Sequence, residues 1–174
     1  MSDLKRIPLT GSVEEKVAWA RAGHLSWDGF LTRDGEISGL LAGLEREIEA
    51  SRKAMRAGGV MLACRACEET EGGSCCGAGI ERKYDGYLLL INLMLGVELP
   101  EERLEPNSCF FQGAEGCRLK ARHVICINYL CKKVTDQVEP EDLSLLREAE
   151  GAELHTLFRL HERIKKLLRE MSLR

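Results

Sequence analysis

The stretch EDLSLLREAEGAELHTLFRLHERIKKLLREMSL (Glu141–Leu173) decides the fold, because it reads as one long helix with a single apolar stripe. Leu154, Leu157, His161, Ile164, Leu168 and Met171 recur at alternating three- and four-residue steps. That spacing keeps them on one face of a helix. Pro140 suits the first turn, where a missing N–H removes no helical bond. Acids gather at the start (Glu139, Glu141, Asp142, Glu148, Glu150, Glu153) and bases at the end (Arg159, Arg163, Lys165, Lys166, Arg169, Arg174). The helix dipole favours this order, which accounts for the basic end without a phosphate-binding role.

A second stripe lies upstream. Ile37, Leu41, Leu44, Ile48 and Met55 share one helical face, Ser51 fills the remaining place, and Asp34 can cap the first turn. The two stripes predict an antiparallel helix pair, within the chain or across a dimer. Ser12-Val13-Glu14-Glu15 has capping-box spacing and predicts a short helix that runs to about Arg21 and stops at Gly23. Trp27-Asp28-Gly29-Phe30 then reads as a turn, with Trp19, Trp27 and Phe30 as core pegs. Gly58-Gly59 interrupts the second stripe, and Val60 to Cys67 either resumes as helix or connects. Residues 68–80 are loop-like, Tyr84 to Val97 is a buried helix ahead of Pro100, residues 100–119 are irregular, and Ala121 to Val134 is another helix.

The expected fold is mostly α: a compact helical domain with irregular cysteine-bearing loops around a metal site, its long N- and C-terminal helices packed as an antiparallel pair. It is expected as a single domain, residues 1–174. A cysteine-rich metal-binding module at 64–131 lies inside it, between flanking helices at 12–57 and 141–173. A chain of 174 residues can bury roughly 70% of its unfolded surface, so no disulfide is needed merely to fold. The net charge of −3 offers nothing to nucleic acid. The N-terminus has scattered charges and no apolar leader, and the longest uncharged apolar run, Tyr87 to Val97, is about half a membrane span and contains Asn92. The expected place is the cytoplasm, where thiols stay reduced, with no membrane and no nucleic-acid partner.

The eight cysteines carry the chemistry. One group is Cys64, Cys67, Cys75 and Cys76; the other is Cys109, Cys117, Cys126 and Cys131. Thiols gathered this way on a reduced chain hold metal or do redox work. Cys64 and Cys67, three apart, meet at one point on a helix or in a turn. Adjacent Cys75 and Cys76 diverge on any regular backbone, so either one ligates and the other lines the site, or both bind a polynuclear cluster. Cys126 and Cys131 share a face only if a helix ends between them. His123, three before Cys126, reads as an exposed helical histidine, or else as a ligand or a donor to a ligating sulfur. A zinc ribbon brings two CxxC claws together, and this chain has one. Phe110, Phe111, Val124, Ile125, Ile127, Tyr129 and Leu130 surround the second group with an apolar shell that would shield an iron–sulfur cluster.

CRAC…CC (Cys64 to Cys76) followed by CFFQGAEGCRLKARHVICINYLC (Cys109 to Cys131) resembles the CxxCxxCC family of zinc- or iron-chelating proteins, the YkgJ type. Gly116-Cys117-Arg118-Leu119, Arg122, Cys126, Tyr129 and Cys131 fall in the family's places. Two features depart from the pattern: Glu68 to Ser74 lengthen the spacer before Cys75, and His123 stands where the family has proline. The resemblance covers residues 64–131 and implies metal chelation, with all eight cysteines as candidate ligands and one or two centres.

No methyl-donor pattern is present, since Gly77-Ala78-Gly79 reads as a turn, and no P-loop, HExxH or Ser-His-Asp order occurs. Glu68, Glu69 and Glu71 read as a solvated loop rather than a catalytic base. His24 reads as exposed, His155 lies beside the stripe of the last helix, and His161 reads as a satisfied core or interface histidine. Whether the protein is an enzyme is left open. The expected function is a metal-binding protein holding an iron–sulfur cluster (4Fe-4S) for electron transfer or redox sensing. The alternative is a Zn2+-stabilised helical module, with a protein partner or a second copy on the long helices.

Overall fold

The computed structural model describes residues 11–71, 77–114 and 116–172. Its architecture is mostly helical. Helix α1 (Val13–Leu31), α2 (Gly35–Ala57) and α3 (Val60–Glu71) lead through a 3-10 turn at Ile80–Lys83 into α4 (Gly86–Met94). A two-residue hairpin, β1 (Gln112–Gly113) and β2 (Gly116–Cys117), precedes the short helices α5 (Val124–Asn128) and α6 (Lys132–Thr135). Helix α7 (Pro140–Ser172) closes the chain. None of the described helices is long and apolar enough to cross a membrane.

The α2–α7 pair forms within the chain, and it is antiparallel. Asp34, at the start of α2, accepts from Arg163 near the end of α7 at 2.6 Å. At the other end, a Cβ on Gly58 would stand 3.3 Å from Asp142 Cβ. Asp34 does two jobs here. Its side chain also caps α2 by accepting from the backbone N–H groups of Glu36 (3.1 Å) and Ile37 (3.0 Å). Ile37, Leu44, Ile48 and Ser51 are buried as the stripe predicts, while Leu40 is buried and Leu41 and Met55 are half-buried. On α7, Leu157, Ile164 and Leu168 are buried as expected, but Leu154 and His161 lie half-buried and Met171 at the edge. Leu146, Leu160, Glu150 and Glu153 complete the inner face. A seven-residue step drifts around a 3.6-residue helix, so a long inner face widens beyond one heptad seam.

Helix α1 does not stop at Gly23, and residues 27–30 are not a turn. The capping box starts it as predicted, with Ser12 N–H donating to Glu15 Oε2 at 2.7 Å and Glu15 N–H to Ser12 Oγ at 3.2 Å. Gly23 is instead a seat for Trp27 one turn later: a Cβ there would lie 2.7 Å from the indole ring. Trp19 is the buried peg, edge-on to Trp27 (5.5 Å) and Tyr87 (5.4 Å), whereas Phe30 is 45% exposed. The same indole of Trp19 lies against Gly86, where a Cβ would come within 2.5 Å, so α4 approaches α1 closely.

Helix α4 is a buried helix as expected, but it spans only Gly86–Met94 of the Tyr84 to Val97 run, and Leu89, Leu90 and Ile91 are fully enclosed between α1 and α7. Burying each such side chain contributes roughly 1.5–3 kcal/mol. Helix resumes after Gly59 and continues through Glu71, so residues 68–71 are helical rather than loop, and Glu68, Glu69 and Glu71 are helical positions. The single helix expected over 121–134 is two short ones, because the chain leaves helical geometry at Tyr129 (ψ 112°) and at Cys131 (ψ 161°).

Replacing Asp34 tests the pair directly. Asp34→Ala is expected to lower urea-unfolding stability by about 1–2 kcal/mol through loss of the cap, whereas Asp34→Asn keeps the cap and loses less. The Arg163 hydrogen bond first, then that of Ile37, holds the Asp34 carboxyl below its ordinary 3.8. Its contribution is therefore complete above that value and is lost as pH falls through the lower folded value. The Asn variant should show a shallower loss in acid.

Candidate metal centre

Four backbone constraints bring part of the second cysteine group together. Asn92, fully buried within α4, donates to Leu88 O (2.9 Å) and Ala121 O (2.8 Å) and accepts from the N–H groups of Lys120 (2.9 Å) and Ala121 (3.0 Å). All four hydrogen-bonding positions of its amide are used. Arg52 of α2 donates to Leu119 O at 2.8 Å, and Lys120 Nζ reaches Leu95 O at 2.8 Å. Together they fix the strand-to-helix connection between Cys117 and Cys126. The hairpin turn before Cys117 needs Gly116, whose φ is 111°.

A second tie pairs the segment that begins at Gly77 with the segment that leads into Cys109. Gly77, one peptide bond after Cys76, forms a β-bridge with Ser108, which directly precedes Cys109. Ala78 N–H also donates to Asn107 O at 3.0 Å. Arg103 braces this junction by donating to Ser108 O and to Glu81, while Gly79 N–H donates to Glu81 Oε2 at 2.8 Å. Glu81 is 3% exposed, and its carboxyl lies below its ordinary value because Arg103 and its own and neighbouring backbone donors outweigh burial.

Cys109, Cys117 and Cys126 lie close enough to sense one another's charge. Burial pushes the Cys109 thiol up to about 11, and the charges of Glu81, Cys117 and Cys126 push the same way. Cys117 keeps solvent contact, which discounts the push, but surrounding protein still raises its thiol; Cys126 adds to that rise while Arg122 and Arg52 oppose it. Cys126 packs against the main core and sits one turn into α5, whose N-cap is His123. His123 is therefore not a helical residue sharing a face with Cys126: its Nδ1 accepts from Ile125 N–H at 3.3 Å, and burial lowers its pKa.

The remaining cysteines stand differently. Cys131 caps α6 and packs with Val60, Ala63, Leu130 and Val134 in a separate small apolar cluster against α3. Cys64 is exposed on α3, and Cys67 follows on the same helix with its side chain outside what is described. Cys75 and Cys76 lie outside the described residues. Among the described residues, no three His, Cys, Asp or Glu side chains are drawn together tightly enough to hold an ion.

Residues outside the cysteine motifs complete the surroundings. Tyr84, 2% exposed, donates its hydroxyl to Cys126 Sγ at 3.6 Å. A charged group drawn from α2, α7 and the connection before α5 lies near Cys117. It holds Arg52 and Arg122 with Glu150 and Glu153, which are 1% and 0% exposed. Glu150 accepts from Arg147 at 2.8 Å through one oxygen only. Glu153 has no hydrogen-bond partner among the described residues for either oxygen, and Ser51 faces it outside bonding geometry. Burial raises both carboxyls, against the pull of Arg122 on Glu153 and of Arg147 on Glu150. Burial, then the charge of Arg122, lowers Arg52. The other histidines are accounted for: His161 Nε2 meets Asp85 Oδ2 at 2.9 Å, His24 lies 3.7 Å from Asp28, and His155 is exposed.

Comparison of the chain with protein-family models, curated proteins and solved structures finds no match in any of the three.

Two substitutions probe this scaffold. Asn92→Ala removes the side-chain partner of the Ala121 carbonyl and of the Lys120 and Ala121 N–H groups, and unfolding is expected to become easier by about 2–3 kcal/mol. Glu153→Gln has the opposite sign. A carboxyl raised by burial costs stability as pH rises from its unfolded value through the folded one. The Gln variant should therefore lose less stability than wild type as pH rises above the ordinary carboxyl value of 4.5, read by urea unfolding across a pH series.

Proposed function

We propose that this chain is a cysteine-ligated metal-binding protein that holds an iron–sulfur cluster for electron transfer or redox sensing in the cytoplasm. The observation that carries this reading is that Cys109, Cys117 and Cys126, from three separate segments, lie near enough to sense one another's charge, with buried Tyr84 bonded to Cys126. Such a gathering of soft donors in apolar surroundings suits iron–sulfur or zinc in kind. The bridge between Gly77 and Ser108 supports joining both cysteine groups at one centre, because it sets the residue after Cys76 beside the residue before Cys109. Cys75 or Cys76 would supply the fourth ligand. Cys64, Cys67 and Cys131 would serve as further ligands at the same centre or form a second one.

A bound cluster would supply one-electron exchange; the chain's part is to place and insulate it. Phe110 and Phe111, at 3% and 0% exposure, keep water from the Cys109 side. Arg52 and Arg122 put positive charge near Cys117, which favours its thiolate form. The resemblance to the CxxCxxCC family agrees with chelation. In the zinc-module alternative the long helices present the partner surface, whereas the apolar stripes of α2 and α7 face each other within the chain.

Purification without oxygen, with counts of iron, zinc and acid-labile sulfide, tests the proposal. The expected product is brown, with iron and sulfide in equal amounts. Cys109→Ser and Cys126→Ser should each lower metal retention by ~10-fold or more, as loss of a direct ligand exceeds the usual effect of an outer partner. A colourless protein with stoichiometric zinc and no sulfide would replace the cluster with zinc. Wild-type protein that retains neither metal after anaerobic loading would overturn the reading altogether.

A further inference from the structure

Tyr84 links the end of the 3-10 turn to α4 and lies beneath the second cysteine group. Its ring packs against Phe111 at 5.0 Å and beside the His123 imidazole at 5.9 Å. The hydroxyl has two partners in the described protein. It accepts from His123 N–H at 3.1 Å and faces Cys126 Sγ at 3.6 Å. A phenol has one proton to give. A backbone N–H cannot accept it, so the proton points at sulfur.

The hydrogen bond to His123 fixes more than the tyrosine. His123 O receives the N–H groups of Cys126 (2.8 Å) and Ile127 (3.2 Å), so the same short turn carries the sulfur. Tyr84 therefore grips the first turn of α5 at both its leading N–H and the sulfur one turn in. Packing alone would be served by phenylalanine. A buried hydroxyl costs free energy unless bonded, and here both its bonds go to the segment that presents Cys126.

We propose that Tyr84 is a positioning residue of the cysteine centre, whose O–H···S bond aims Cys126 Sγ and withdraws electron density from it once it binds metal. The proposal rests on the metal-binding reading above. A donor on a ligating sulfur lowers the energy of its lone pairs, so less charge passes to the ion and the ligand is held in one rotamer.

The experiment loads wild-type protein, Tyr84→Phe and Tyr87→Phe with Co2+ without oxygen. It records the sulfur-to-cobalt charge-transfer band and the affinity by chelator competition. Tyr87 is a second buried tyrosine, stacked edge-on against Trp19 and His161, and serves as the control for losing a core hydroxyl. In Tyr84→Phe the band should move to lower energy, because the freed sulfur gives up an electron more easily. Affinity should fall by about 10–100-fold, the usual effect of removing an outer partner of a metal ligand. Tyr87→Phe should match wild type in both.

If Tyr84→Phe keeps the wild-type band and affinity, the positioning role is overturned while the metal site stands. If wild type shows no charge-transfer band, the metal reading falls and takes this proposal with it. A second measurement does not depend on how the variant folds. In wild type loaded with spin-active cadmium, the Tyr84 hydroxyl proton should show scalar coupling to the metal through Cys126 Sγ, and its absence in a loaded sample overturns the hydrogen bond.

Discussion

The Asn92 amide is the constraint on which the cysteine-bearing half of the molecule depends. Its four bonds run from the middle of α4 to the backbone of Leu88, Lys120 and Ala121. A polar side chain in so apolar a helix would be costly if any bond were missing, since buried unpaired amide groups lose their water without return. With all four made, the amide locks an irregular connection to a rigid helix. That is why a stretch with little regular structure of its own can present Cys117 and Cys126 in defined places. Arg52 and Lys120 extend the same anchoring toward α2 and the end of α4.

The α2–α7 pair serves two purposes that pull against each other. Its outer portions are ordinary apolar packing, closed at one end by the Arg163–Asp34 contact. Its middle buries Glu150 and Glu153 beside Arg52 and Arg122, an arrangement that an all-aliphatic interface would outdo in stability. Arg122 and Arg52 act on Cys117 and on the buried carboxyls alike, so positive charge near the thiol is balanced by Glu150 and Glu153. The helix pair therefore acts as scaffold and as the electrostatic backing of the candidate centre.

Much of the helical frame could be read from short-range pattern. Ser12 and Asp34 announce helix starts, Pro140 opens the last helix, and the stripes of α2 and α7 specify an antiparallel pair. Glycine misleads at one place and not at the other. Gly23 looks like a stop but accommodates an indole one turn later, whereas Gly58-Gly59 does interrupt the second stripe before α3 resumes. The stretch at 121–134 looks like one helix because its composition is helical, whereas packing around Cys126 and Cys131 divides it. Within the site, cysteine spacing points to metal-binding chemistry, but Tyr84, Asn92 and Glu153 carry no local signal. A tyrosine opening an apolar run, an asparagine inside it, and a glutamate one residue before a predicted stripe position all look unexceptional.

By itself the sequence determined what depends on neighbours within about one helical turn: the caps, the apolar faces, the order of helices, and a supply of eight thiols. Only the tertiary structure decided which groups meet. Cys126 meets a hydroxyl 42 positions away, Asn92 meets Ala121 at a separation of 29, and Asp34 meets Arg163 at 129. Such contacts arise when whole helices pack and their side chains settle into the remaining space. Helical periodicity says which face turns inward; the partner waiting there is set by the fold of the entire chain.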